Sequence, residues 1–263
     1  MSARLHVLVA FLLATLAWAG PARALSIAPG SETLFTQLER SDTVLLARFD
    51  AAEPGFVRFV IEQVLQGRAG SEARVRLPEG QTLSGLEPGQ RYLLLLTELP
   101  DGSFALPLES LSILVVPEAD LAETLAAVRA WGGDAGDPAA RRATLMRFAT
   151  ARSLFLQDSA VMGLTHLRLM TRDTLRELMD PMVSGRIADP RARQTLVRFA
   201  GVMGAIEHRD TLMDRVRDAA ETQELREAAL FALHSMDAGA ARELAPEIAR
   251  NAGLSALMRS LER

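Results

Sequence analysis

Beyond residue 24 the chain of 263 residues carries three histidines, His166, His208 and His234, and it has no cysteine anywhere. Without thiols there can be no disulfide framework, thiolate zinc site, cysteine nucleophile or lipidated cysteine. His166 and His234 lie two 34-residue periods apart. On packed helices that spacing separates them by roughly 16–20 Å, too far to share a metal ion whose ligands sit about 2 Å away. His208 precedes Arg209-Asp210 at a helix start, where it is expected in solvent as part of the turn. Acids such as Glu177 and Asp180 share one helix face with Arg176 beside them, the pattern of a solvated surface. No stretch sets a carboxylate in apolar surroundings that would raise its pKa. Zincin, nucleophile-elbow, Walker and dinucleotide motifs are absent from the sequence. Met162-Gly163 and Gly201-Val202-Met203-Gly204 have no strand before them, so these glycines read as close helix packing rather than a phosphate loop. The expectation is no catalytic residue, no metal site and no cofactor.

The elements that would position a site come in two kinds. Arg172-Asp173-Thr174-Leu175 recurs 37 positions later as Arg209-Asp210-Thr211-Leu212. Each copy opens an apolar-periodic helix followed by a second, and a helix pair repeating at that period signals an α-solenoid. The expected pairs are Ala139–Arg152 with Asp158–Leu169, Thr174–Val183 with Arg191–Ala205, and Thr211–Ala219 with Glu224–Met236; Ala240–Ala249 and a capping Leu254–Leu261 follow. Asp137-Pro138 and Asp189-Pro190 each place an N-cap before a proline in the first turn. Pro181 and Pro246 fall inside first helices and should kink them. Nine methionines lie in this half, Met146, Met162, Met170, Met179, Met182, Met203, Met213, Met236 and Met258. Their period favours core filler over an adaptable binding groove. Arg193 and Arg226, near the starts of second helices, are expected to bond acids or carbonyls of the adjacent unit.

Ahead of this half lie a short helix, Ser31–Glu39, and strands at Thr43–Phe49, Phe56–Leu65, Ala73–Leu77, Tyr92–Leu96, Ser103–Leu106 and Leu111–Val116. Tyr92–Leu96 is unbroken and apolar, as a strand buried on both sides should be. Pro100-Asp101-Gly102 makes a hairpin turn. Strands this short and closely spaced predict a small antiparallel barrel or sandwich. Pro117–Trp131 reads as a helix with Leu121, Leu125, Val128 and Trp131 on one face, and Gly132–Asp137 as the domain seam.

The first residues carry an export signal: Arg4, the apolar run Val7–Ala19 and the Ala22-Arg23-Ala24 cleavage site, cut after Ala24. The run is shorter than the ~20 residues of a membrane span, so a periplasmic or secreted product without a span is expected. The 29 basic residues are all arginine, against 33 acids, for a net charge of −4. The leader holds two of those arginines and no acid, so the exported chain is more acidic still. That charge excludes the basic field nucleic-acid binding needs.

Phe59-Val60-Ile61-Glu62-Gln63-Val64-Leu65-Gln66-Gly67, Val75-Arg76-Leu77-Pro78, Gly85-Leu86-Glu87-Pro88-Gly89-Gln90-Arg91-Tyr92-Leu93 and Pro100-Asp101-Gly102 together resemble the bacterial netrin-like or TIMP-like barrel, an OB-type fold, over about residues 41–116. Eukaryotic inhibitors of that family chelate a protease zinc through an N-terminal cysteine, which has no counterpart here. Glu224-Leu225-Arg226-Glu227-Ala228-Ala229-Leu230-Phe231-Ala232-Leu233, and more loosely Asp189-Pro190-Arg191-Ala192-Arg193-Gln194-Thr195-Leu196, are similar to the second helix of HEAT-type repeats. The expected organisation is α+β in two domains: signal peptide 1–24, OB/netrin-like barrel 25–116, helix and linker 117–136, and a HEAT-like solenoid 137–263. The expected function is an exported non-catalytic binding or scaffold protein holding a protein or peptide partner on the concave solenoid face. The alternatives are a protease inhibitor acting through the barrel, or a hydrolase with acids at the domain seam.

Overall fold

The computed structural model describes residues 33–77, 85–107, 112–134 and 136–262. The leader, with Ala24, and the whole Pro78–Ser84 stretch lie outside the described residues. Helix α1 (Leu34–Arg40) starts from a capping box in which Thr33 and Thr36 satisfy each other's backbone. Strands β1 (Thr43–Glu53), β2 (Phe56–Gln66), β3 (Glu72–Arg76), β4 (Arg91–Glu98), β5 (Phe104–Ala105) and β6 (Ile113–Leu114) follow. Their order is β1-β2-β3-β5-β4 with β4 returning to β1, a closed five-stranded barrel, and β6 adds to β4. The barrel is not wholly antiparallel as the strand rhythm suggests, because β3 and β5 run parallel through Val75↔Phe104 and Arg76↔Ala105. Register shifts at Val44/Leu45, Leu46/Ala47 and Phe49/Ala51 bend the long β1–β2 ribbon, as closure requires.

Period-two alternation decides what each strand faces. On β1 and β4, Leu45, Ala47, Tyr92, Leu94 and Leu96 fill the barrel with Val57, Phe59, Val75, Phe104 and Ile113. The Tyr92 ring meets Phe59 edge-on at 6.1 Å, and its hydroxyl accepts from the Glu87 amide at 2.8 Å. The intervening residues Val44, Leu93 and Leu95 point the other way and join the helical core. Tyr92–Leu96 is therefore buried on both faces, as its unbroken apolar run predicts.

Helix α2 (Glu118–Gly133) buries Thr124, Ala127, Val128 and Trp131, with Leu121 and Leu125 only partly covered. Trp131 packs on Phe35 at 5.1 Å between ring centres and under Arg141 at 5.2 Å. The helical half consists of α3 (Pro138–Phe148), α4 (Leu154–His166), α5 (Arg172–Val183), α6 (Pro190–Val202), a 3-10 turn at Ile206–His208, α7 (Arg209–Arg217), α8 (Gln223–Met236), α9 (Ala238–Glu243), α10 (Ala245–Ala249) and α11 (Ala252–Leu261). Asp137 and Asp189 cap α3 and α6 before their prolines. The two Arg-Asp-Thr-Leu copies do open α5 and α7, yet Thr171 caps the first while His208 lends the second no side-chain bond. The expected Ala240–Ala249 helix breaks at Leu244, because Pro246 suits a new first turn better than a helix interior.

Each second helix lies against the next: α4 packs on α6, α6 on α8 and α8 on α11, while α5 and α7 flank α6 and α8 respectively. Backbone meets backbone closely at Gly201, where a Cβ would lie 2.7 Å from the Ala232 Cα. Gly163 likewise sits against Leu145 and Phe35. Both glycines thus serve helix packing. Met170, Met179, Met182, Met213 and Met258 are buried in the core, and Met146, Met203 and Met236 pack against it.

Candidate functional site

Each second helix turns one stripe outward, spaced three or four residues apart so that it stays on a single face. On α4 the stripe is Leu154, Met162, Thr165 and His166, with Asp158 half-buried between them; on α6, Arg191, Thr195, Arg198 and Val202; on α8, Glu224, Glu227, Phe231 and His234. Lateral bonds hold the first two in register: Arg191 reaches Asp158 at 3.3 Å, and the Thr195 hydroxyl points to the Met162 sulfur at 3.5 Å. Large apolar side chains interrupt this surface. Val202 is 78% exposed and Phe231 45%, with Leu154 at the start of α4 and Ile206 just past α6 also in solvent. A helix that needed these residues only for its core would bury them. Val183 on α5 is exposed as well, but Leu154, Val202 and Phe231 recur on α4, α6 and α8 and mark a candidate interaction face.

Behind that face, polar side chains tie each unit to the next. Gln157 accepts from the Ala188 and Asp189 amides at 2.7 and 2.8 Å and donates to the Arg186 carbonyl. Arg193 and Arg215 both pair with Glu221, whose side chain is only 8% exposed. Gln223 and Asn251 bond reciprocally. At the opposite helix ends an arginine recurs beside an acid about one period on: Arg142 with Glu177, Arg172 with Glu207, and Arg209 with Glu243. Arg193 thus reaches the following unit as expected, whereas Arg226 bonds the Val216 carbonyl at 3.0 Å within its own pair.

His166 and His234 sit on α4 and α8 of the outward row, and among the described residues no group of three or more His, Asp or Glu could hold a metal. His208 corrects the sequence expectation. Far from standing in solvent, it is 8% exposed and its Nε2 has no hydrogen-bond partner. Burial lowers its pKa first; Glu207 and Asp180 oppose that, and Arg176 and Arg172 add to it. Glu177 is taken by Arg142, and Arg176 pairs with Asp173. The acids of the seam hold structure together. Asp137 caps α3, Asp134 accepts from Thr144, and Glu123 accepts from the Arg152 and Ser153 amides at the start of α4.

Asp158 is the residue the sequence concealed. Its Oδ1 is buried without a partner, and desolvation pushes its pKa up to about 6, with Asp189 adding to the rise and Arg191 opposing it. Nothing local signals this, because Asp189 and Arg191, which act on it, lie about thirty positions away in the chain. Two open clefts complete the surface. One of about 380 Å³ lies on the barrel between Arg48, Arg91 and Glu118, where Glu62 and Glu118 neutralise both arginines. The other, about 260 Å³, near the last helices, is lined by apolar residues such as Ile248 and Met258 together with Arg242, Ser255, Arg259 and Glu262. Among the described residues no helix is long and apolar enough to cross a membrane. No protein-family model, curated protein or solved structure matches the chain.

Proposed function

We propose that the protein is an exported, non-catalytic binding or scaffold module that takes a protein or peptide partner along the outward stripe of α4, α6 and α8. On this reading the second helices form a short HEAT-like solenoid with that stripe on its concave side, and the OB-type, netrin-like barrel serves as a fixed end. The observation that carries it is the grouping of exposed Leu154, Val202 and Phe231 on successive second helices. Apolar anchors ringed by Arg191, Arg198, Glu224 and Glu227 provide what a peptide-binding face needs, a few desolvating contacts within a polar rim.

The test is peptide selection by phage display on the chain lacking residues 1–24, followed by affinity measurement. Val202→Asp with Phe231→Asp should weaken the selected peptides at least tenfold. Val60→Asp with Val64→Asp, at exposed positions on β2, should leave them unchanged. Peptides that bind both doubly substituted proteins equally would refute the assignment of the face.

A further inference from the structure

The turn at the seam between the α5–α6 pair and the α7–α8 pair holds a buried imidazole whose Nε2 has no partner. His208 ends the 3-10 turn that leads into α7, nine-tenths buried, with Nε2 enclosed and unpartnered. An imidazolium donates from both nitrogens, so protonation in place would add an unmet donor and a charge away from water. The charged groups facing it come from two elements. Its own turn supplies Glu207, and α5 supplies Arg172, Arg176 and Asp180. Glu207 is already engaged on both carboxylate oxygens by Arg172. Arg176 and Arg172 bring two positive charges to the site, while the adjoining Arg209 turns away to Glu243 and Asp237. Arg172 also donates to the Gly204 carbonyl at 3.5 Å, so the groups around the histidine are the ones that clamp this side of the seam.

We propose that this seam is an acid-sensitive joint: protonation of His208 is accommodated only by parting the 204–209 turn from α5, so acidification loosens the first-helix side of the seam between these two pairs. The contact of α6 with α8 at Gly201 and Ala232 involves no titrating group and stays shut. The joint therefore opens like a page held at its spine.

Backbone hydrogen exchange of the intact protein at pH 7.5, 6.5, 5.5 and 5.0, corrected for intrinsic rates, reads the opening directly. An opening coupled to uptake of one proton grows by up to tenfold per pH unit below the ordinary imidazole range. Residues 172–183 and 204–217 should lose protection at that rate in the wild type and not in His208→Gln, while 190–202 and 223–236 hold theirs. His166→Gln, on an exposed side chain, should keep the wild-type response. An equal pH slope in His208→Gln and the wild type, or no slope in the wild type, overturns the proposal. Should His208→Gln fail to fold, the imidazole C–H titration of the wild type by NMR decides. A His208 midpoint below the ordinary imidazole value of about 6.5, together with line broadening of the 204–209 amides, supports the joint; a midpoint at or above that value overturns it.

Discussion

Replacing Gly201 by alanine tests whether α6 and α8 are as tightly joined as they look. The added Cβ would lie 2.7 Å from the Ala232 Cα and 2.9 Å from its Cβ. Carbon atoms rest at about 3.5–4.0 Å, so the helices must part by roughly an ångström, and no side-chain rotation can relieve a clash with backbone. Overpacking of this kind costs about 1–3 kcal/mol. The helix-propensity gain of alanine over glycine, up to about 1 kcal/mol in a helix interior, shrinks one residue from the end of α6. The expected net loss is about 1–2 kcal/mol, which lowers a urea midpoint by roughly 0.5–1 M for a urea slope of about 2 kcal/mol/M. Gly163→Ala is the control. Its Cβ would meet the tip of Leu145 at 3.0 Å, and a flexible leucine end can turn aside. The propensity gain in mid-α4 then leaves stability within about 0.5 kcal/mol of the wild type. Urea unfolding followed by far-UV circular dichroism separates the two. Gly201→Ala as stable as Gly163→Ala would mean that backbone contact does not join the second helices.

Asp158 should give a pH response of its own. Its folded pKa of about 6 lies above the ordinary value, so the folded state takes up a proton between about pH 6 and 4 before the unfolded chain does. The stabilisation is full below the ordinary carboxylate range and is lost as pH rises through about 6, an effect on the order of 1–3 kcal/mol; Asp158→Asn should flatten that part of the stability–pH curve, and an unaltered slope would contradict the desolvation. The two sets of arginine pairs should differ in weight. Glu207→Gln removes an exposed pairing and should leave the unfolding midpoint almost unmoved, whereas Glu221→Gln leaves Arg193 and Arg215 partly buried around a neutral group and should cost about 2–4 kcal/mol, both read by urea unfolding. Finally, in a chain lacking residues 1–24, Trp131 is the sole tryptophan and touches α1 and Arg141 of α3. Its fluorescence and the far-UV circular dichroism should trace one coincident unfolding curve, and a separate earlier fluorescence transition would show that the core is not shared.

Local chemistry made part of this legible from sequence. The Tyr92–Leu96 run, the turn at Pro100-Asp101-Gly102 and the caps Asp137 and Asp189 act through neighbours in the chain, and the elements form where those signals place them. The features that escaped depend on distant partners. The parallel β3–β5 pairing rests on two residue pairs almost thirty positions apart. His208 looks like a turn residue until the fold buries it, and Asp158 looks like one more surface acid until burial acts on its carboxylate beside Asp189 and Arg191. The identical Arg-Asp-Thr-Leu copies also conceal a difference in capping that the preceding residues, Thr171 and His208, decide.

A wall built of Leu45, Leu94 and Leu96 on one side and Val44, Leu93 and Leu95 on the other has no outdoor surface. Trimming by a protease near residue 117 would strip that wall bare and leave a sticky fragment instead of a portable barrel. Helix α1, which precedes the barrel in sequence but nests Phe35 against Trp131 and Phe148, stitches the stretch before the barrel to the helices that follow it. Gene rearrangement would therefore have to carry both halves as a single heritable block.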